Sequence, residues 1–136
     1  MITITIEGLP DKRLEPNARC HWGQKAKAAA SDRERGGWAV KQVMQEDMRT
    51  FLAEHLRSLP ALRYRVEIGL PKGAKQRDSD NVAVWSKSIR DGIADLLCGG
   101  WDGNWELVRT TQVRDREGPG WVKFHIELGS VETEAA

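Results

Sequence analysis

Period-two alternation of apolar and polar residues marks four stretches of the chain. Ile2, Ile4 and Ile6 alternate with Thr3 and Thr5 between Met1 and Glu7, the pattern of a half-buried strand. Leu62, Tyr64, Val66, Ile68 and Leu70 repeat that spacing and predict a second strand. Residues 107–114 and 121–128 alternate on either side of Gly118, Pro119 and Gly120, and predict a hairpin. Between the first strand and residue 16 runs a polar connection bracketed by prolines.

Three- and four-residue spacing takes over elsewhere. From about Trp22 to Leu59 the chain is first Ala-rich. It then carries Val40, Val43, Met44, Met48, Phe51, Leu52 and Leu56 at helical intervals, predicting one buried face. The pair Gly36-Gly37 predicts a break or kink, because glycines are poor helix formers. Pro60 ends this region, and 71–76 reads as a loop with two lysines and a glycine. Asp78 or Ser79 caps a helix running to about Leu97, with Val82, Trp85, Ile89, Ile93 and Leu96 on its apolar stripe. Cys98-Gly99-Gly100 stops it. The order β-α-β-α-β-β predicts a single α+β domain over 1–129, with a four-stranded mixed sheet packed against helices. Residues 130–136 are polar and read as a disordered tail. Trp38 and Trp85 are expected in the core, whereas Trp101 and Trp105 flank a glycine-rich turn.

Composition narrows the function classes only slightly. A chain of 136 residues, 40% hydrophobic, suits one domain with one core. Its 21 basic and 20 acidic residues leave a net charge of +1, so any nucleic-acid surface requires local segregation of charge. Cys20 and Cys98 stand alone, outside any metal-type spacing. With no leader segment apparent, they suit a reducing, cytoplasmic setting. No apolar run approaches the roughly 18 residues that would span a bilayer.

The candidate chemistry begins at Arg77-Asp78-Ser79-Asp80-Asn81. Two carboxylates one residue apart at a helix start suit a hard cation such as Mg²⁺, which takes oxygen ligands and keeps several waters. A plain helix cap followed by a solvated first-turn acid explains the same residues. On one continuous helix Asp80, Val84, Lys87 and Asp91 share a stripe. Lys87 then either leans back toward a phosphate held near the aspartates or makes an ordinary ion pair with Asp91. Beyond the helix, Asp102 sits in the turn Gly99-Gly100-Trp101-Asp102-Gly103-Asn104. Three acids and a lysine suit metal-assisted phosphodiester hydrolysis; a surface turn covering the core is the competing reading.

These residues resemble the core of the RusA-like family of Holliday junction resolvases. That core reads as a D-x-D-N helix start, a downstream lysine with D-[AG]-[LI], and a G-x-x-x-D-D turn. Here it is matched by Asp78-Ser79-Asp80-Asn81, Lys87 with Asp91-Gly92-Ile93, and Trp101-Asp102. Leu9-Pro10 and Pro16-Asn17-Ala18-Arg19-Cys20-His21-Trp22, with Lys25 and Lys27 following, are similar to a segment of phage-type members. Two departures stand out. Lys87 follows Asp80 by seven residues rather than four, and Asp102 is followed by Gly103-Asn104 rather than a second acid. The third acidic position falls either on Asp102 or on Asn104.

The resemblance implies a homodimeric endonuclease that makes paired nicks in four-way or branched DNA. It implies Asp78, Asp80 and Asp102 as ligands for Mg²⁺, with Mn²⁺ as a substitute, and Lys87 as a catalytic cation. Because a cluster of acids repels a polyanion, binding must come from cations nearby. Lys72, Lys75 and Arg77, then Arg19, Lys25 and Lys27, are the candidates, and their contacts would be salt-dependent and blind to sequence. His21 either contacts phosphate or packs beside Trp22. Two competing readings are a non-catalytic junction-binding homologue and a D-x-D nucleotidyl- or glycosyltransferase. The second lacks a nucleotide-binding glycine motif.

Overall fold

The computed structural model describes residues 1–98 and 105–128. Within them the alternating stretches form β1 (Ile2–Glu7), β2 (Leu62–Leu70), β3 (Trp105–Arg114) and β4 (Trp121–Ile126). The helices are α1 (Trp22–Val43), α2 (Glu46–Arg57), α3 (Ser79–Trp85) and α4 (Lys87–Leu97), and a short 3-10 turn covers Lys12–Leu14. The strands make one mixed sheet in the order β1-β4-β2-β3, packed against helices in a single α+β domain, as the element pattern predicts. Residues 99–104 and 129–136, and with them the predicted Gly99-Gly100 stop and polar tail, lie outside the described residues.

The predicted hairpin is not formed. β4 pairs antiparallel with β1 on one side and β2 on the other, while β3 runs parallel to β2 on its far edge. β2 therefore lies between two strands that follow each other in sequence. Alternation around a Gly-Pro-Gly turn specifies two strands and a reversal, but not which neighbour each strand takes. The parallel β2–β3 pair requires a long crossover, which α3 and α4 supply.

One face of the sheet is the core. Ile4, Ile6, Tyr64, Val66, Ile68, Val122, Phe124 and Ile126 are buried there with Trp85, Ile89, Ile93 and Leu97 from the helices. The alternate residues, among them Thr3, Arg65, Glu67, Lys123 and His125, keep access to solvent, as in a sheet covered on one side.

The helical region departs from the sequence pattern at three places. Gly36 and Gly37 sit inside an unbroken α1. The break falls instead at Met44, which leaves the helix with extended backbone (φ −141°, ψ 133°) and turns its side chain into the core. Because the axis changes there, one helical stripe cannot run through to residue 56. Val40, Met44, Leu52 and Leu56 are buried, but Val43, Met48 and Phe51 are exposed. Trp38 is 57% exposed rather than in the core, whereas Trp85 is 1% exposed, as its stripe predicts. Finally, the helix predicted over 79–97 is interrupted at Ser86 (φ −91°, ψ 0°). The Ser86 hydroxyl donates to the Val82 carbonyl at 2.8 Å, a back-bond of the kind that bends helices.

α1 also grips the chain that follows β1. Asp32, 1% exposed, accepts from the Asp11 backbone N–H at 2.8 Å and from Arg35 Nη1 at 2.9 Å. Arg35 donates in turn to the carbonyls of Glu7, Gly8 and Leu9. A buried carboxylate is tolerable because these donors satisfy it. Among the described residues no helix is long and apolar enough to cross a membrane.

Candidate functional site

β2 ends at Leu70, and the chain reaches α3 through a loop whose last residue is held from several sides. The Gln112 side-chain amide on β3 accepts from the Arg77 backbone N–H at 2.8 Å and donates to the Arg77 carbonyl at 2.5 Å. The Arg77 guanidinium pairs with Glu15 at 2.5 Å, donates to the Lys75 carbonyl at 3.0 Å and lies 4.0 Å over the Trp85 ring. Trp85 itself donates its indole N–H to the Asp11 carbonyl at 2.8 Å. The residue preceding the acid pair is thus tied to the core, the N-terminal segment and β3 together.

Asp78 occupies the N-cap position of α3 (φ −64°, ψ 148°), and its carbonyl accepts the first helical bond from Val82. Its carboxylate makes no capping hydrogen bond. Asp80 lies exposed in the first turn. Among the described residues neither carboxylate has a hydrogen-bond or ion-pair partner. The plain capping explanation of Asp78 therefore leaves its side chain unused, although the position itself is as that explanation requires.

The two motif segments meet here. Glu15, Pro16, Asn17 and Ala18 face Arg77, Asn81 and Trp85 across a cleft of about 210 Å³. Glu15 and Arg77 are 62 positions apart in the chain, so tertiary structure alone brings them together.

Lys87 opens α4, past the interruption at Ser86, so it does not continue the Asp80 stripe of a single helix. Its ammonium pairs with Asp91 at 3.0 Å, and Arg90 reaches the other oxygen of Asp91 at 2.9 Å. Burial opposes ionisation of Asp91, but the hydrogen bonds from Arg90 and Lys87 outweigh it and hold the carboxyl below its usual range. Trp105, where the description resumes after the turn, lies 5.9 Å from the Arg90 guanidinium. Asp102 and its rival Asn104 are outside the described residues. Among those described, no group of three His, Cys, Asp or Glu side chains is placed to hold a metal ion.

The remaining predicted cations are spread over two regions. Arg19 is exposed in the loop before α1, and Lys25 (half-buried) and Lys27 (exposed) follow in its first turns. Lys72 and Lys75 are exposed on the β2–α3 loop. His21 caps α1, its Nδ1 accepting from the Gly23 N–H at 3.1 Å, and its ring lies 5.4 Å from that of Trp22. That is a structural position. Cys20 and Cys98 are both free, and burial pushes the Cys98 thiol up to about 11.

Three residues that shape this region escape a reading of the motifs: Glu15, Gln112 and Arg114. Gln112 left a trace in the sequence, since it is a polar residue at an inward position of an otherwise alternating strand. Glu15 lies just before a motif segment and left none.

The fold and this site define a one-sided α+β domain with an exposed, unpaired aspartate pair at the start of a β-α-β crossover, after the carboxyl end of β2. No protein-family model matches the chain, and no curated protein matches it significantly. The likeness to RusA-like resolvases rests on the motif residues themselves.

Proposed function

We propose that this chain is a structure-selective endodeoxyribonuclease of the RusA-like kind, which nicks four-way and other branched DNA as a homodimer with Mg²⁺. The observation that carries the reading is the pair Asp78 and Asp80: two carboxylates without internal partners on a rigidly held helix start, beside the Pro16-Asn17-Ala18 segment. Mg²⁺ commonly takes one or two carboxylates and keeps its remaining ligands as water, so these donors fit it. Asp78 and Asp80 would hold the ion, with Asp102 the third ligand implied by the resemblance. When bound, it supplies an activated water and neutralises charge at the phosphate.

The chain's own residues do the rest. The Gln112 and Glu15 contacts to Arg77 fix where α3 begins, and so hold Asp78 and Asp80 in position for the scissile phosphate. Lys87 neutralises charge building on that phosphate once its ammonium leaves Asp91. Arg19, Lys25, Lys27, Lys72 and Lys75 hold neighbouring phosphates against the repulsion of the acids. Arg77 serves by bracing the site through Glu15. Two such sites in a two-fold dimer match a two-fold branched substrate.

One observation favours a second reading. Lys87 is engaged by Asp91, which holds its ammonium away from a phosphate at the aspartates. A non-catalytic junction-binding protein would tolerate that pairing.

The test is cleavage of a labelled synthetic four-way junction in Mg²⁺, beside linear duplex, for wild type and Asp80→Asn. Symmetric nicks that the variant loses are the expected result. Tight junction binding without nicks supports the second reading. An absence of both binding and cutting removes both readings and favours a D-x-D transferase, which a nucleotide would stabilise in a thermal shift assay.

A further inference from the structure

At the carboxyl ends of the two parallel strands, on the same β2–α3 loop that leads to the aspartate pair, lies a cleft lined by Lys72, Gly73, Ala74, Arg114 and Arg116. Its volume is about 530 Å³, and three of its five lining residues are cations while none is an acid. In a protein with a net charge of only +1, that is a marked local separation of charge. Arg114 donates to the backbone carbonyls of Pro71 and Ala74, which orients its guanidinium without neutralising it. Lys72 and Arg116 are exposed and have no ion-pair partner among the described residues. Of the two acids flanking Arg116, Asp115 accepts from the Trp121 indole N–H at 2.9 Å and from the Glu117 N–H, and its own N–H donates to the Leu70 carbonyl. The exposed Glu117 carboxylate makes no ion pair with Arg116 and does not line the cleft. Gly73 has φ +84°, and a Cβ there would meet nothing within 4 Å, so the mouth of the cleft is open.

A concave, uncompensated set of one ammonium and two guanidinium groups selects an anion with several oxygens, and phosphate is the usual one. The position in the chain says which phosphate. Lys72 and Asp78 are joined by one short loop, whose fully extended reach is about 20 Å. That distance corresponds to about six phosphates of a single strand of duplex DNA at 3.4 Å each. We infer that Lys72, Arg114 and Arg116 form a binding site for a backbone phosphodiester of DNA, on the same strand as the phosphate at Asp78 and Asp80 and within six nucleotides of it. The inference rests on the nuclease reading of the aspartate pair, and it assigns two arginines that neither motif segment contains. The site holds the substrate strand in register with the acids, and because it reads only the backbone it is indifferent to sequence.

The test is the salt dependence of four-way-junction binding by the full chain in Ca²⁺ or without divalent metal, for wild type, Lys72→Ala, Arg116→Ala and the double variant. Lys41→Ala, an exposed lysine on α1, serves as a control for the change in charge. Each phosphate contact adds about 0.9 to the slope of log K against log salt. The expected result is a slope lower by about 1 in each single variant and about 2 in the double, on junction and linear duplex alike, with Lys41→Ala like wild type. An unchanged slope in the double variant, while wild type binds junctions, overturns this site and leaves the nuclease reading intact. A wild type that binds no DNA removes both. Inorganic phosphate provides the last arm. If millimolar phosphate raises the melting temperature through Lys72 and Arg116 while their removal leaves DNA binding unchanged, the ligand is a small phosphate and the DNA assignment is overturned.

Discussion

Gly36 of α1 and Gly92 of α4 hold their two helices in backbone contact. A Cβ at Gly36 would stand 2.2 Å from the Ile89 carbonyl oxygen, and one at Gly92 would stand 1.8 Å from the Arg33 carbonyl oxygen. Those atoms belong to backbone and cannot swing away. The crossing is further fastened by Arg33, which grips Asp95 through two hydrogen bonds of 2.6 and 2.7 Å. Alanine is normally the better helix former, by about 1 kcal/mol. Here Gly36→Ala and Gly92→Ala are each expected to destabilise the fold by about 3 kcal/mol through overpacking. Gly37→Ala, whose Cβ would meet its nearest neighbours at 3.7 Å, is expected to be neutral or stabilising. Urea titration of the three variants checks the contrast.

Gln112→Ala removes both hydrogen bonds that hold the Arg77 backbone. It is expected to cost about 1 kcal/mol, since two half-buried backbone groups lose their partner. Asp80→Asn, by contrast, alters an exposed side chain without partners, and its stability should stay within about 0.5 kcal/mol of wild type. Thermal unfolding of both, beside the junction-cleavage assay, separates support of the site from the site itself: the first variant loses stability and activity together, the second activity alone.

Asp32→Ala leaves Arg35 and the Asp11 N–H without their shared acceptor. Arg35 stays 31% exposed and keeps its three carbonyl acceptors, so the expected cost is about 2 kcal/mol, mainly for the unpaired Asp11 N–H and the lost charge-assisted bond. The loss should be accompanied by fast amide exchange at Asp11, which hydrogen-exchange measurements read directly.

The Asp91 carboxyl sits below its ordinary value of 3.8, so it binds a proton more weakly in the folded chain than in the unfolded one. Its contribution to stability is therefore present above about pH 4 and lost as the pH falls through the lowered value. Lys87→Ala removes one of the two cations responsible and is expected to move the Asp91 titration upward, by carboxyl NMR. No movement would mean that the Lys87 ammonium is already free of Asp91 in solution. Asp11, held at about 2 chiefly by the hydrogen bond from Arg13, has its window between about pH 4 and 2.

What the sequence reveals of this molecule follows from which forces are local. The four strands, and the burial of Trp85 and Ile89, are legible because side-chain periodicity directly reports which face meets the core. The position of β3 beyond β2 is not, because pairing partners far apart in the chain leave no mark on either strand's own pattern. Gly36 shows the same limit. Its helix propensity predicts a break, yet the residue is there to admit a second helix. In the site, the exposed aspartates announce themselves by spacing, whereas the contacts that fix them, from Glu15 and Gln112, come from elements 62 and 35 positions away from Arg77. Arg114 and Arg116 stand on β3 and just after it, outside both motifs, and only the parallel pairing brings them beside Lys72.

The pairing of β1 with β4 sets Ile2 opposite Ile126. Nearly the whole polypeptide must therefore be synthesised before its first strand finds a neighbour. Until then β1 is an apolar ribbon with no strand to pair with, and β2 has β3 on one edge and nothing on the other. Contacts of such long sequence separation slow folding, because the intervening loop must close before they form. A nascent chain stalled before residue 121 exposes β1 and the open edge of β2, with which a chaperone, or another copy, can pair. For this topology the last strand made, β4, is the one that closes the sheet.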